Sequence, residues 1–303
     1  MVDLVEICIK GDLTQLKKVI SDNPNVDVNA KNCLTLRMAA RYGNLDMVKY
    51  LIEDHRAKPR ARDDNALHLA SEKGHLNVVK YLVEEHGANI HSKNNSGLYL
   101  ASIGGHLDVV KYLIEECDAN IGYINKEILG GIAKNNHWDV VKYFAKNPAI
   151  DIHDKDEYIL CCAAKNGRLD IVQYFAENYD VDLHVENEAV LYYAIIEGHL
   201  DVVKYLVETH QSDAKACYEY ALMWAVKAGH LDVVKYVMQQ GFDYTSLKEV
   251  FEQKYKKGYE ICSKIDLEIK KERQFEQNLE TFKKADPKPK VRRRPKPKNN
   301  GGM

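Results

Sequence analysis

The sequence predicts an all-α solenoid of about eight helix–turn–helix units, and three observations lead to that prediction. An anchor residue, glycine in six copies and asparagine in one, returns every 31 residues from Gly43 to Gly229. Apolar residues before and after each anchor follow helical spacing. No apolar run reaches the ~18 residues of a membrane span. A fixed period of this length is typical of stacked units that bury their apolar faces against their neighbours.

Each unit begins with a short helix that ends at the anchor. A leucine lies seven residues before every anchor and a small or aliphatic residue lies four before it, as Leu67 and Ala70 precede Gly74. These two positions share one helical face. Glycine ends the helix because it readily adopts the left-handed conformation that helix termini favour, and Asn136 is the usual substitute. A weaker copy, anchored at Gly11, precedes the regular ones.

A second, amphipathic helix follows each anchor. After Gly74, Val78 and Leu82 belong to an apolar stripe, whereas Lys80 faces outward. Two helices per unit leave roughly ten residues for the connector, and the turn-rich segment 87–95 predicts an extended loop there.

These units resemble the ankyrin repeat. Residues 65–70, Asn-Ala-Leu-His-Leu-Ala, are similar to that family's Thr-Pro-Leu-His-x-Ala start of the first helix. Residues 74–82 resemble its second helix and residues 87–89 its Gly-Ala-Asp/Asn loop, and the similarity covers residues 1–243. The resemblance implies a concave binding surface and a protein-interaction role, without a cofactor.

The chain departs from the family in its turns. The Thr-Pro pair is absent from every copy, and the hairpin glycine eleven residues before the anchor is replaced. The replacements are Asn32, Asp63, Asn94, Asn125, Asp156 and Asn187. Asn and Asp tolerate positive φ best among non-glycine residues, so we expect the turn geometry to persist. The regular tyrosine, the short period and the near-identical second helices resemble ankyrin arrays of giant DNA viruses that infect amoebae.

Repeated histidines and tyrosines suggest chemistry, but a structural role is favoured for both. The histidines after the anchors are His75, His106, His137, His199 and His230. Units stack ~10 Å apart, too far for two such imidazoles to share a metal, so we expect hydrogen bonds between adjacent turns. The tyrosines seven residues after each anchor are expected to be partly buried with the hydroxyl in water.

The sequence predicts no catalytic, cofactor-binding or metal site. Cys161 and Cys162 are adjacent, but they fall among small core positions and we expect them to be buried. No phosphate-binding glycine loop, His-Glu-x-x-His or Gly-x-Ser-x-Gly is present. We therefore expect a chain that is not an enzyme and needs no cofactor.

Connector tips and first-helix ends vary between copies, and there we expect a partner protein to bind. The candidate residues are Arg41, Tyr42, Arg62, Asp64, Lys73, Lys93, Tyr123, Lys126, Glu157, Glu186, Glu188 and Glu219. The connector containing Arg56, Lys58, Arg60 and Arg62 is basic, whereas later tips are acidic. A partner of opposite polarity would be steered into register.

The repeats stop after Tyr244. Ser246 and Glu249 form a capping box, and residues 244–284 are predicted to be a helical C-terminal cap or extension. Ile261, Ile265, Ile269 and Phe275 follow mostly four-residue spacing, and this helix either packs on the last unit or projects alone. Residues 285–303 are rich in proline and basic residues, which predicts disorder. Residues 283–298 hold nine basic residues and one acid; with the whole chain at −2, the rest carries −10.

Three interpretations of the basic tail remain open: an import signal read by a receptor, a weak nucleic-acid arm, or a solvated end. A host ubiquitin-ligase adaptor is a further alternative, although no recruiting module is recognisable in residues 245–303. Seven scattered cysteines without a Cys-x-x-Cys pair indicate reduced thiols, and no secretory signal is apparent. We expect a non-secreted intracellular monomer in the host cytoplasm or nucleus, without membrane contact.

Overall fold

The computed structural model describes residues 4–150, 158–212, 219–249, 251 and 255–285, and those residues contain helices and no strand. Eight consecutive helix pairs confirm the predicted units. The pairs are α1 (Leu4–Lys10) and α2 (Leu13–Asp22), α3 (Ala30–Arg41) and α4 (Leu45–Glu53), α5 (Ala61–Glu72) and α6 (Leu76–Glu84), α7 (Ser92–Ile103) and α8 (Leu107–Lys111, continued by a π-helical turn Tyr112–Glu116), α9 (Lys126–Lys134) and α10 (Trp138–Ala145), α11 (Tyr158–Lys165) and α12 (Leu169–Asn178), α13 (Val185–Glu197) and α14 (Leu200–His210), and α15 (Glu219–Ala228) and α16 (Leu231–Gln239). A 3-10 turn (Tyr244–Leu247) and a long helix, α17 (Lys256–Ala285), follow.

The first helices of successive units pack more closely than the second helices do. Fully buried alanines such as Ala39, Ala70 and Ala101 lie in the first helices and allow the backbones to approach. The centre of the stripe predicted for the second helix is also buried, as at Val78 and Leu82, whereas its edges at Leu76 and Val83 are half-buried. Because the stack is tighter on the first-helix side, that side is the concave face and the second helices form the convex face.

The anchors adopt the predicted left-handed conformation. The φ angles of the seven regular anchors lie between 65° at Asn136 and Gly167 and 86° at Gly229. At each anchor the chain turns sharply from the first helix into the second, and the backbone N–H of the next residue donates to a carbonyl near the end of the first helix, as His75 N does to Ala70 O at 2.9 Å. This hydrogen bond satisfies a carbonyl group that would otherwise lack a partner at the end of the first helix.

Four connectors enter the first helix through three successive left-handed residues, called here the tip turns: 31–33, 62–64, 93–95 and 186–188. The central residue of each is Asn or Asp at the predicted position, with φ between 55° and 58°. The prediction is wrong at Asn125, which is extended with φ −113° and instead caps α9 by accepting a hydrogen bond from Ile128 N at 3.0 Å. A side-chain cap there satisfies the helix end without a left-handed turn. Asp156 lies outside the described residues.

A helical cap covers the last unit, as predicted. Leu247 is completely buried, and Cys262, Ile265 and Ile269 of α17 are buried against α15 and α16. Both alternatives for this helix apply to parts of it, because Ile265 and Ile269 are buried whereas Phe275 is 66% exposed. The predicted disordered tail lies, from residue 286 on, outside the described residues.

In the described part of the chain, no helix combines the length and the apolar composition that crossing a bilayer requires.

Candidate partner-binding surface

The concave face presents most of the predicted partner-binding residues. Five have exposed side chains and two are half-buried: Tyr42, Arg62, Lys73, Lys93 and Glu186 are exposed, and Arg41 and Tyr123 are half-buried. Three candidate residues cannot be placed in full, because Glu157 and the side chains of Lys126 and Glu219 lie outside the described residues. Six of the placed residues come from tip turns and first-helix ends, and Tyr123 lies in the connector before α9.

Asp64 and Glu188 are exceptions, since both were expected at exposed tips and both are buried. Asp64 is 3% exposed and accepts a hydrogen bond from Arg60 Nε at 3.2 Å. Glu188 is 7% exposed, and its Oε1 lies 2.7 Å from His184 Nδ1. Each is the third residue of a tip turn, where the left-handed backbone directs the side chain inward. The hydrogen bond between His184 and Glu188 raises the pKa of the His184 imidazole.

The other tip turns contain the same pairing with different residues. Cys33 Sγ lies 3.0 Å from Asn29 Oδ1, and His91 Nδ1 lies 2.9 Å from Asn95 Oδ1. The third residue of a tip turn therefore contacts the residue four positions earlier in all four turns. Sequence reasoning missed these pairs, although the two positions change residue type together from unit to unit.

Ion pairs join the concave ends of neighbouring units. Arg41 Nη1 lies 3.0 Å from Glu72 Oε2, and Lys73 Nζ lies 3.0 Å from the other oxygen of Glu72. At the tips, Lys93 Nζ lies 3.9 Å from Asp63 Oδ2. Burial opposes ionisation of Glu72, but the hydrogen bond from Lys73 and the charge of Arg41 lower the pKa of its carboxyl overall. Arg41 and Lys93, two of the predicted binding residues, therefore also cross-link neighbouring units.

Three of the five ladder histidines make the predicted hydrogen bonds between units. Nε2 of His75 lies 2.9 Å from Arg41 O, and the same contact joins His106 to Glu72 O and His199 to Lys165 O. Each imidazole also covers the anchor glycine of the preceding unit, where a Cβ atom would overlap the ring. The ladder is therefore a structural element of the stack.

The tyrosines form a second ladder on the convex face. The hydroxyls of Tyr81, Tyr112, Tyr143 and Tyr236 donate to glutamates of the preceding unit over 2.7–3.0 Å. The preceding unit's lysine lies over the ring, as Lys142 Nζ lies 4.4 Å from the centroid of Tyr174. The glutamate partners add to the expected contact with water, because the stacking interval places a carboxylate beside each hydroxyl. The expected partial burial is wrong at Tyr112 and Tyr236, which are buried.

A cleft of about 380 Å³ opens on the concave face between α9, α11 and α13. Its lining residues are Lys134, Tyr158, Cys161, Cys162, Lys165, Asn166 and Tyr193. Cys161 and Cys162 are each 7% exposed, which confirms their expected burial. Burial also raises the pKa of the Cys162 thiol, so that it is not primed as a nucleophile.

The aromatic surface continues onto α15 beside this cleft. Tyr220 and Trp224 are each 46% exposed, and Lys227 Nζ lies 4.6 Å from the Trp224 ring centroid. Sequence reasoning missed this aromatic cluster, because its members occupy different positions of the unit. The signal available in the sequence was the set of aromatic residues in α11, α13 and α15, the first helices of the last three units.

Within the described residues, no group of three or more His, Cys, Asp and Glu side chains is arranged to hold a metal ion.

Helix pairs that stack through their first helices and present a variable concave face define a helical-repeat scaffold. The family model described as ankyrin repeats (3 copies) matches residues 4–94, 36–125, 129–216 and 160–248. The chain therefore belongs to the ankyrin-repeat family.

One similar solved structure is the crystal structure of the human ASB11 ankyrin repeat domain. It is 19% identical, with a TM-score of 0.46, and the match covers 64% of this chain and 98% of that one. No curated protein matches the sequence.

Proposed function

We propose that this ankyrin-repeat chain is a non-enzymatic scaffold that binds a partner protein through its concave surface. The observation that supports the proposal is a contrast between the two faces. The convex face repeats the same lysine, tyrosine and glutamate contacts from unit to unit. The exposed concave positions differ in charge and size, as Arg62, Lys93 and Glu186 do at equivalent tips. Such variation on a constant frame suits recognition of one specific surface.

Affinity capture with a charge-reversed concave face tests the proposal. The test variant is Arg62→Glu, Lys93→Glu and Glu186→Lys, all at exposed tips. The control variant is Lys18→Glu, Lys271→Glu and Glu85→Lys, which changes net charge equally at exposed residues away from the tips. Quantitative mass spectrometry should show partners that the wild type and the control retain and the test variant loses. Equal capture by all three proteins would contradict a concave site.

The polarity of the tips sets a direction for the partner. Arg56, Lys58 and Arg62 are exposed in the early part of the array, whereas Glu186 and Glu197 are exposed in the later part. We infer that a partner of opposite polarity aligns along the array and associates faster at low salt. For a captured partner, Glu186→Lys should lower the association rate and flatten its salt dependence. Identical stopped-flow kinetics for the variant and wild type would dismiss this steering.

A second candidate function, nucleic-acid association or an import-receptor contact through residues 283–298, is supported by the +8 charge of that segment. Full-length and tail-truncated proteins should be compared for binding to generic DNA across a salt series. Tail-dependent binding at physiological salt would favour nucleic acid, and tail-dependent nuclear accumulation without it would favour an import signal.

Four further predictions concern a ligase association, the oligomeric state, the localisation and the source of the protein. A host ubiquitin-ligase adaptor would co-purify with ligase subunits in the same capture. Light scattering after size exclusion tests the predicted monomer, and localisation imaging tests the predicted cytoplasmic or nuclear, non-secreted distribution. The resemblance to arrays of giant DNA viruses is likewise a prediction, and sequencing of the source genome around this reading frame would test it.

A further inference from the structure

We propose that the cleft between α9, α11 and α13 holds a segment of the partner protein that carries a single acidic side chain, with its carboxylate between Lys134 and Lys165 and an adjacent apolar side chain against Tyr158 and Tyr193. This inference rests on the proposed function, because it names the chemistry that one part of the concave surface recognises.

The charge of the cleft supports an anionic occupant. Lys134 and Lys165 are both exposed, and none of the described residues that line the cleft carries a carboxylate. In the described part of the chain, Lys134 has no carboxylate within ion-pair distance, and the carboxylate paired with Lys165 Nζ is Glu197 Oε1 at 3.8 Å. Both ammonium groups act on Cys162, since each opposes the burial that raises the pKa of that thiol. The two cations line the same cleft as Cys162, Lys134 from α9 and Lys165 from α11.

The walls of the cleft are aromatic. Tyr158 is 45% exposed, and its ring lies on Gly130 of α9, where a Cβ atom would overlap it. Tyr193 forms the opposite side, with Lys165 Nζ 6.0 Å from its ring centroid. Trp224 of α15 occupies the position equivalent to Tyr193 in the next unit and is 46% exposed. Exposed aromatics grouped on neighbouring helices are typical of interaction sites, and tyrosine and tryptophan are common binding hot spots.

The size of the cleft and the surrounding charge favour a segment of a partner protein over the chain's own tail and over a nucleic acid. The volume of about 380 Å³ accommodates side chains, since small-ligand pockets begin at ~300 Å³. The chain's own tail is basic and would be repelled by both lysines. A nucleic acid would bring a row of phosphates past Glu186 and Glu197, which are exposed near the cleft. An isolated acidic side chain avoids that repulsion.

Random-peptide display against the full chain tests the proposal. Selections use the wild type, the charge-reversed Lys134→Glu/Lys165→Glu variant and the matched control Lys18→Glu/Lys271→Glu. Wild type and control should enrich peptides with Asp or Glu beside an apolar residue, and the charge-reversed variant should not enrich them. Selected peptides should bind the charge-reversed variant about tenfold or more weakly, as expected on losing a charge-assisted contact. Unchanged peptide composition or affinity in that variant would overturn the proposal.

Intrinsic fluorescence locates the bound peptide, because the chain has two tryptophans and Trp138 is 3% exposed while Trp224 is 46% exposed. In a Trp138→Phe background, an acidic peptide in the cleft should shift the Trp224 emission. Peptides that bind without this shift, and that are lost on Arg62→Glu/Lys93→Glu, would overturn the cleft while leaving the concave scaffold intact. Failure to select any peptide that binds the concave face would count against both the cleft and the concave scaffold. If a single-stranded oligonucleotide bound the cleft more tightly than the selected peptides do, nucleic acid would replace the protein segment as the occupant of the cleft.

Discussion

At the residue scale, one contact explains both the anchor glycine and the histidine that follows it in the next unit. The imidazoles of His75, His106, His137, His199 and His230 each occupy the space that a Cβ would need at the preceding anchor. Where the anchor is Asn136, the next unit has Arg168 instead, and Arg168 Nη1 donates to Asn136 Oδ1 over 3.2 Å. The two positions change together because a β-carbon and an imidazole cannot share that space.

Substitution of the anchor is expected to cost more where a histidine covers it. Gly229 has φ +86° and no atom within 4 Å of an added Cβ, so Gly229→Ala should lose only the left-handed strain, ~1–2 kcal/mol of unfolding free energy. Gly74→Ala adds overlap with His106 and should lose more. In urea titrations, His106→Ala should recover part of the Gly74→Ala loss. Equal costs at both glycines, or no coupling in the double mutant, would refute the shared-space explanation.

The tyrosine ladder makes stability sensitive to alkaline pH. Burial and the hydrogen bond to glutamate raise the pKa of Tyr143 and of Tyr236 to about 12. Because the unfolded value is about 10, these groups stabilise the fold fully below pH ~10 and lose that contribution as the pH rises through the folded value. Tyr143→Phe/Tyr236→Phe should therefore unfold with a shallower pH dependence between about 10 and 12. Tyr42→Phe, at an exposed tyrosine on the concave side, is the control and should keep the wild-type slope.

At the element scale, the long C-terminal helix has two parts with different roles. The part around Ile265 and Ile269 packs on α15 and α16, and Lys235 Nζ lies 2.6 Å from Glu272 Oε1 at its edge. Beyond the end of α16, Phe275 and Leu279 are exposed. Solenoid ends require such a cover, because the last unit otherwise leaves one apolar face in water.

Paired substitutions in this helix should separate its two parts. Ile269 is 3% exposed, and Ile269→Ala should lower the unfolding free energy by ~2–4 kcal/mol, a typical cost for a buried aliphatic side chain. Phe275→Ala removes a larger side chain at an exposed site and should change it by less than ~0.5 kcal/mol. Chemical denaturation monitored by circular dichroism measures both. A similar loss for the two variants would mean that the projecting part also packs.

At the scale of the whole molecule, the array has a weak junction between its fourth and fifth units. The first helices α7 and α9 contact each other much less than α5 and α7 do. Asn125 begins α9 without a tip turn, and Gly130 and Gly131 leave the helix without side chains at two successive positions. Since stability in a solenoid is transmitted through neighbouring interfaces, this junction divides the stack.

Unfolding is expected to occur in two steps separated at this junction. Hydrogen exchange should show lower protection in α9 than in α5, and units on either side should exchange as separate groups. Leu129→Ala removes a fully buried side chain of α9 and should widen the separation between the steps. Leu67→Ala, at the equivalent position of α5, is the control and should destabilise without separating them further. One cooperative transition with uniform protection would disprove the division.

The sequence by itself determined the period, the eight helix pairs, the left-handed anchors and the inter-unit bonds of His75, His106 and His199, because these follow from spacing along the chain and from the backbone preferences of single residues. Only the tertiary structure decided which tip residues are exposed. Asp64 and Glu188 turn inward because a left-handed triplet reverses the direction of the third side chain. The tertiary structure also formed the cleft between α9, α11 and α13, since Lys134, Tyr158 and Tyr193 belong to three units and meet only when those units stack.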